Sequence, residues 1–224
     1  MKILITSGGT EEPIDGVRYI TNFSTGKTGA FLADYFTKRG ADVTLLHGHR
    51  AALPSLEMKT DSFISFENLN EKLKFYLESG KYDGVIHLAA VSDFSVEYIE
   101  TENGEKLSPR NCGKLSSDNK LNLHLKRNFK IINQLKTYNK SGKELIVTGF
   151  KLTDTDSTAE MEEAVRKLLR SDAVDFVVQN NLRDITKEKH PAGIYISDGS
   201  LMYRTETKKE MADSLFKLLT GELK

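Results

Sequence analysis

Apolar runs of strand length, alternating with stretches of helical period, constrain this chain more than any other feature. KILIT at 2–6, DVTLLHG at 42–48, FISF at 63–66, GVIHLAA at 84–90, LIVTGF at 145–150 and DFVVQN at 175–180 have the continuous apolar character of buried strands. Helical stretches lie between them at 27–39, closed by Gly40, at 68–80, closed by Gly80, and at 157–170, where Asp156 or Ser157 is the cap candidate. That alternation predicts a mostly parallel, Rossmann-like α/β sheet with helices on both faces. Near the end, GIYIS at 193–197 and LMYRT at 201–205 flank Asp198-Gly199-Ser200, a hairpin signal, and a helix at 207–219 follows. The stretch 91–127 breaks the pattern. It holds Gly104, Pro109, Gly113, many polar residues and one strand at 120–126, and reads as a β-excursion that packs on a partner subunit or serves as a lid. The whole chain, 1–224, reads as a single domain.

Charge narrows the function classes. Lys plus Arg and Asp plus Glu both number 32, so the formal net charge is zero. A general nucleic-acid coat protein or a polybasic membrane binder would carry an excess of positive charge. A local basic pocket remains compatible. Cys112 is the single cysteine, which rules out a disulfide framework and a multi-Cys metal site. No apolar run approaches the ~20 residues of a membrane span. The first strand begins at the initiator, leaving no room for a signal peptide, so the expected location is the cytoplasm.

Ligands of open α/β sheets bind outside the carboxyl ends of the strands. After the first strand comes Ser7-Gly8-Gly9-Thr10, whose glycines allow a sharp turn and close approach of backbone to a ligand. It is a weak dinucleotide fingerprint, because Pro13 and a further dozen residues precede the helix. Ser24-Thr25-Gly26-Lys27-Thr28 resembles a P-loop only in part, since position 21 is Thr21 and not glycine. What remains is a turn whose amides suit a phosphate or carboxylate, or whose Ser24 or Thr25 merely caps a helix. In the polar loop between them, Asp15 and Arg18 either pair with each other or meet a substrate, and Asn22 either caps the helix or serves a ligand. After the fourth strand, Ala89 and Ala90 are small enough for a ribose or base to lie against backbone. Asp93 is a ligand candidate or a turn former. Lys114 is placed either over phosphates or in solvent.

The stretch Gly8-Gly9-Thr10-x-Glu12-Pro13-Ile14-Asp15-x-Val17-Arg18-Tyr19-Ile20-x-Asn22-x-Ser24-x-Gly26-Lys27-x-Gly29 resembles the signature of phosphopantothenoylcysteine synthetases, the ligases of coenzyme A synthesis. The resemblance continues at Ala89-Ala90-Val91-Ser92-Asp93-Phe94, Lys114-Leu115, Arg127-Asn128, Gly149-Phe150 and Asp175 to Asn181. It implies that the carboxylate of 4′-phosphopantothenate attacks the α-phosphate of CTP or ATP, releasing pyrophosphate and leaving an acyl-nucleotidylate. The amine of L-cysteine then displaces the nucleoside monophosphate. It further implies Mg²⁺, Asn22 as the holder of the acyl intermediate and Lys114 as the support of nucleotidyl transfer, with Asp15 and Arg18 on the substrate side. Nucleotide contacts are implied for Gly8, Gly9, Ser24, Gly26, Lys27, Ala89, Ala90, Asp93, Phe129, Lys130, Ile131, Ile132, Phe150 and two basic helix residues, Lys167 and Arg170. Metal ligands are not implied. Family members are dimers, so a homodimer is expected.

Two departures matter. Bifunctional bacterial members carry a flavin decarboxylase domain ahead of this one. With the chain starting at Met1, a stand-alone synthetase is expected, its product passing to a separate decarboxylase. Leu115-Ser116-Ser117 after Lys114 looks closer to the ATP-using eukaryotic form, whereas the compact chain looks bacterial and favours CTP. The rival readings are an oxidoreductase and a non-catalytic nucleotide sensor on the same scaffold. Short-chain dehydrogenases need Tyr-x-x-x-Lys, and none of the eight tyrosines has a lysine four residues on. A sensor has no need of a lysine over an α-phosphate.

Overall fold

The computed structural model describes every residue except Gly80, Arg110, residues 117–119 and residues 223–224. In chain order the elements are β1 (Lys2–Ser7), β2 (Glu11–Pro13), β3 (Tyr19–Thr21), α1 (Lys27–Lys38), β4 (Asp42–Gly48), β5 (Lys59–Phe63), α2 (Phe66–Glu78) and β6 (Gly84–His87). There follow β7 (Phe94–Thr101), β8 (Lys106–Leu107), β9 (Leu121–Arg127), α3 (Leu135–Tyr138), β10 (Ile146–Thr153), α4 (Thr158–Leu169), β11 (Phe176–Asn181), β12 (Ala192–Ile196), β13 (Leu201–Thr205) and α5 (Lys208–Thr220).

Eight strands form the main sheet, in the order β13-β12-β11-β10-β6-β1-β4-β5. The six from β5 to β11 are parallel, and β12 and β13 return antiparallel at one edge. The strand order reverses between β1 and β6, which is the crevice where a doubly wound sheet takes its ligand. The side-chain alternation of β1 shows how both faces are covered. Leu4 joins Phe63, Leu69, Leu73, Val147 and Val165 beneath α2, α3 and α4. Ile3 and Ile5 join Leu32, Phe36, Leu45, Met211 and Leu215 beneath α1 and α5. A strand apolar on both sides is what a two-faced parallel sheet requires.

One sequence expectation is corrected. FISF is not a strand: β5 is the more polar KTDSF, and Phe66 already opens α2 behind Ser65, whose hydroxyl accepts from Asn68 N. The strand is polar because it is the sheet edge, where Lys59 and Thr60 face solvent. The excursion is a full antiparallel sheet, β8-β7-β9, in which β7 pairs with β9 from Phe94↔Arg127 to Thr101↔Leu121. The polar loop before α1 folds into a hairpin of its own, β2 with β3. Gly80 and Ser117, to which the sequence assigns a helix end and part of a loop, lie outside the described residues.

Candidate active site

The switch point is built by two turns bonded to each other. Gly9 and Ala90 form a parallel bridge, Ala90 N donates to Gly8 O at 2.8 Å, and Thr10 N donates to Ala90 O at 3.2 Å. Thr10 Oγ1 then accepts from Ser92 N at 2.9 Å, and Thr6 Oγ1 accepts from Ala89 N at 3.1 Å. Thr6 also meets Nδ1 of the buried His87 at 2.8 Å, and burial pushes that imidazole down to about 4. So the backbone around Ala89–Ser92 is fixed by Thr6 of β1 and by Thr10 in the turn that follows it. Gly8 takes φ +84° because the turn leaves no room for a side chain: a Cβ there would lie 2.7 Å from Ala51 Cβ.

The second wall is the start of α1. Its N-cap is Gly26, in the left-handed region at φ +71°, and no side chain caps the helix. Thr25 Oγ1 receives only a 3.5 Å approach from Lys27 N, and Ser24 is not the cap. Beyond that long contact at Lys27 N, the first turn of α1 has no side-chain cap, and the helix dipole favours an anion there. Ser7 Oγ donates to Gly26 O at 2.9 Å, clasping the end of β1 to the start of α1. Asn22 is not a helix cap. Its Nδ2 donates to Val91 O at 3.1 Å, tying the end of the hairpin to the turn after β6.

One continuous cleft is lined by Ser7, Gly8, the stretch from Asn22 to Gly29, the stretch from Leu88 to Val91, Asp93, Lys130, Phe150, Lys151, Leu152, Asn180 and His190. It thus gathers Gly8, Asn22, Ser24, Gly26, Lys27, Ala89, Ala90, Asp93, Lys130 and Phe150 among the residues expected from the sequence. Among the described residues Asp93 is the one carboxylate lining it, and Lys130 Nζ holds that carboxylate at 2.5 Å. Lys151, Asn180 and His190 were not foreseen. Lys151 and Asn180 stand at the carboxyl ends of β10 and β11, where the strand-end rule points once it is applied to every parallel strand.

Other expected residues lie elsewhere. Gly9 sits behind the cleft, under Asn22 O, which a Cβ would approach to 2.5 Å. Ile131 is buried in the core beneath α2, and Ile132 is half-buried against that core. Phe129 packs edge-on against Phe66 at 5.0 Å and borders a neighbouring cavity with Glu12 and Asn128. Lys167 and Arg170 do not line the cleft. Both stand in the last turns of α4, which begins beside the carboxyl ends of the strands and runs back to the opposite edge of the sheet, and Arg170 pairs with Glu163 at 3.1 Å.

Asp15, Arg18 and Lys114 form a separate group at the tip of the β2–β3 hairpin. Asp15 is only 2 % exposed. Its Oδ2 accepts from Arg18 Nε at 2.9 Å and from Arg18 Nη2 at 2.5 Å, while its Oδ1 accepts from Val17 N and Arg18 N. The Arg18 guanidinium, with those amides, holds the Asp15 carboxyl far below the usual carboxylate range. Leu115 N donates to Asp15 Oδ2 at 3.2 Å, Arg18 Nη2 donates to Leu115 O at 3.3 Å and Gly16 N donates to Gly113 O at 3.3 Å. The buried Asp15 and its half-exposed partner Arg18 therefore position the loop that carries the exposed Lys114. Lys114 borders a cavity with Val17 and Arg18, away from the switch-point cleft.

Among the described residues there is no cluster of three His, Cys, Asp or Glu side chains able to hold a metal ion. No helix of the described residues is long and apolar enough to cross a membrane.

Comparison with known proteins agrees with this architecture. Residues 1–222 match the family described as the DNA/pantothenate metabolism flavoprotein C-terminal domain. The coenzyme A biosynthesis bifunctional protein CoaBC of Thermococcus kodakarensis is 32% identical over 215 residues, covering 96% of this chain and 50% of that protein. The chain thus spans about half the length of that curated relative. Among solved structures, the DNA/pantothenate metabolism flavoprotein from Streptococcus pneumoniae superposes with a TM-score of 0.86 at 28% identity, covering 99% of both chains. The C-terminal domain of a CoaBC protein superposes with a TM-score of 0.74 at 28% identity, covering 99% of this chain and 95% of the other. By the extent of these matches, the chain belongs to the family of DNA/pantothenate metabolism flavoprotein C-terminal domains.

Proposed function

We propose that this chain is a phosphopantothenate–cysteine ligase of coenzyme A synthesis. The observation that carries the reading is the joint between Asn22 and Val91, which sets an uncharged amide donor at the switch point beside the uncapped first turn of α1. In this reading the nucleotide lies between the Ala89–Val91 turn and Gly26–Lys27, with Phe150 and Lys130 on the far wall. The carboxylate of 4′-phosphopantothenate attacks the α-phosphate, and the bond to the departing pyrophosphate breaks. The amine of L-cysteine then attacks the acyl carbon, the nucleoside monophosphate leaves, and the nitrogen gives up its proton.

Asn22 suits the acyl oxygen because its amide donates without titrating. Lys114 supplies positive charge to the phosphoryl group when its loop meets the nucleotide. Among the described residues the cleft offers only Asp93 as a carboxylate, so Mg²⁺ would be held chiefly by phosphate oxygens and water, as that ion prefers. The half-exposed Phe94, Leu123 and Leu125 on the β8-β7-β9 sheet fit a face that a second copy covers, giving a homodimer.

The test is an assay of purified protein with 4′-phosphopantothenate, L-cysteine, Mg²⁺ and CTP or ATP. We expect cysteine-dependent product and pyrophosphate release, faster with CTP. Absence of turnover with either nucleotide would overturn the ligase reading, whereas faster turnover with ATP would overturn only the base preference.

A further inference from the structure

The turn after β6 is held from two sides by asparagines. Asn22 takes the carbonyl of Val91, and Asn128 takes the next two. Asn128 Nδ2 donates to Ser92 O at 3.0 Å, and Asn128 N donates to Asp93 O at 2.8 Å. The same Nδ2 donates to Ser95 Oγ at 2.8 Å, and that hydroxyl donates in turn to the buried Glu12 carboxylate at 2.7 Å. Asn128 directly follows β9, and two residues on stands Lys130, whose Nζ meets Asp93 Oδ1 at 2.5 Å. One residue therefore fixes the backbone of Asp93 and begins the segment that delivers Lys130. Both of those side chains line the cleft.

Asp93 and Lys130 are each more than half exposed, at 59% and 56%. Such a pair contributes little where two free side chains must be ordered to make it. Here the backbones that carry the two charges are already joined, by the two Asn128 bonds and by the Phe94↔Arg127 pair of β7 and β9. The ordering is done when the chain folds and not when a ligand arrives, so a ligand meets the pair preorganised. A carboxamide suits the joint because its two amide hydrogens reach two acceptors at once and carry no charge into the cleft wall. Ser95 meets the side chains of Asn128 and Glu12, and so anchors the joint to the hairpin.

We infer that Asn128 is a positioning residue of the candidate active site, acting through the Asp93–Lys130 pair: it sets the turn that carries Asp93 against the segment that carries Lys130 and so preorganises that wall of the cleft for the nucleotide. The inference rests on the ligase reading for the identity of its ligand, but the positioning role is testable without turnover.

The experiment is calorimetric titration of the full chain with CTP and with ATP in the presence of Mg²⁺, joined to urea unfolding and to steady-state kinetics. It compares the wild type with Asn128→Ala, Asn128→Ser, Lys130→Met, the double variant Asn128→Ala with Lys130→Met, and Ser95→Ala as the control for stability. Asn128→Ser keeps a polar atom at the joint and serves as the second, milder variant. Asn128→Ala should weaken nucleotide binding by about tenfold, the scale of leaving one buried carbonyl unpaired, and Asn128→Ser should act in the same direction. The KM for nucleotide should rise with it while kcat changes little. Lys130→Met should weaken binding in the wild type and add almost nothing once Asn128 is gone, because the two act as one unit. Ser95→Ala should lower the urea midpoint and leave nucleotide affinity as it was. Unchanged affinity in both Asn128 variants would overturn the role. Equal weakening by Ser95→Ala would reduce it to general stability, and full additivity of Asn128→Ala with Lys130→Met would show that Asn128 does not act through the pair; either result overturns the inference. Nucleotide affinity that depends on Asn128 in a protein without ligase turnover would keep the positioning role and discard the ligase reading alone, whereas a wild type that binds neither nucleotide would overturn both.

Discussion

The carboxamide of Asn22 donates to the carbonyl of Val91 at 3.1 Å, across 69 residues of chain. That bond joins the hairpin inserted after β1 to the turn that ends β6, and it orients the amide relative to the cleft floor.

Asn22→Asp is the sharpest test of the proposed half-reactions. The carboxylate would face the Val91 carbonyl with no donor, so the joint opens, and it would repel the negative charge that develops on an acyl oxygen. Because Asn22 is exposed and caps no helix, we expect little change in stability. Acyl-nucleotidylate should still form, but transfer to cysteine should be slow and the intermediate should accumulate. Mass spectrometry of a quenched single turnover reads this directly, and a second step at the wild-type rate would refute the role.

Lys114→Ala should act earlier. With the charge gone from the loop that Asp15 and Arg18 position, nucleotidyl transfer itself should fall by roughly 10²–10³ in rate, the scale for removing one charge-stabilising donor. The measurement is acyl-nucleotidylate formation without cysteine. A wild-type rate would leave Lys114 as a surface residue.

Glu12→Ala should lower stability. The Glu12 side chain is buried, and its Oε1 accepts from Phe66 N at 2.7 Å while its Oε2 accepts from Ser95 Oγ at 2.7 Å. The carboxylate thus binds the first turn of α2 and the start of β7 to the hairpin. Removing it strands the buried Phe66 amide and leaves the Ser95 hydroxyl with Asn128 alone, for a loss of roughly 1–3 kcal/mol. Urea unfolding compares the variant with the wild type, and Glu12→Gln should lose less.

Stability should fall between about pH 6.5 and 4. Burial pushes His87 and His190 each down to about 4 from 6.5. Above pH 6.5 the rings are neutral in the folded and the unfolded chain, and nothing is lost. Below it the unfolded chain takes up protons that the fold refuses, so stability drops until the folded pKa is reached. For the fully enclosed His87 the loss is about 3 kcal/mol over that window. Urea titrations at pH 7.5 and pH 4.5 should differ accordingly, and replacing His87 by Gln should flatten the difference.

Much of the sheet was legible because its central strands are buried on both faces and so read as unbroken apolar runs: Ile3 to Ile5, Val43 to Leu46 and Phe176 to Val178 are such cases. Edge position hid β5, where Lys59, Thr60 and Asp61 replace that signal. The three-residue strands of the β2–β3 hairpin carry no alternation to read, and their turn is set by the Asp15–Arg18 contact, which is tertiary. In the site, Gly8, Gly26, Ala89 and Asp93 were legible as residues following a strand or opening a helix. His190 was not, because it lies in the irregular stretch between β11 and β12 and not at the end of a strand. Lys167 and Arg170 illustrate the converse: their charge was visible, but the direction of α4 decides that they face away.

The clasp from Ser7 Oγ to Gly26 O makes residues 8–25 a loop whose two ends meet at 2.9 Å. Thr10 and Glu12 tie the first part of that loop to the framework, so beyond them the length of the hairpin tip costs only closure entropy, which grows logarithmically, at about 0.6 kcal/mol for each doubling. The framework and the reagent-handling segment are thus separable engineering parts. A longer, shorter or different tip could be grafted between Pro13 and Tyr19 with the strand register intact, and such grafts are the economical route to changing what this scaffold presents there.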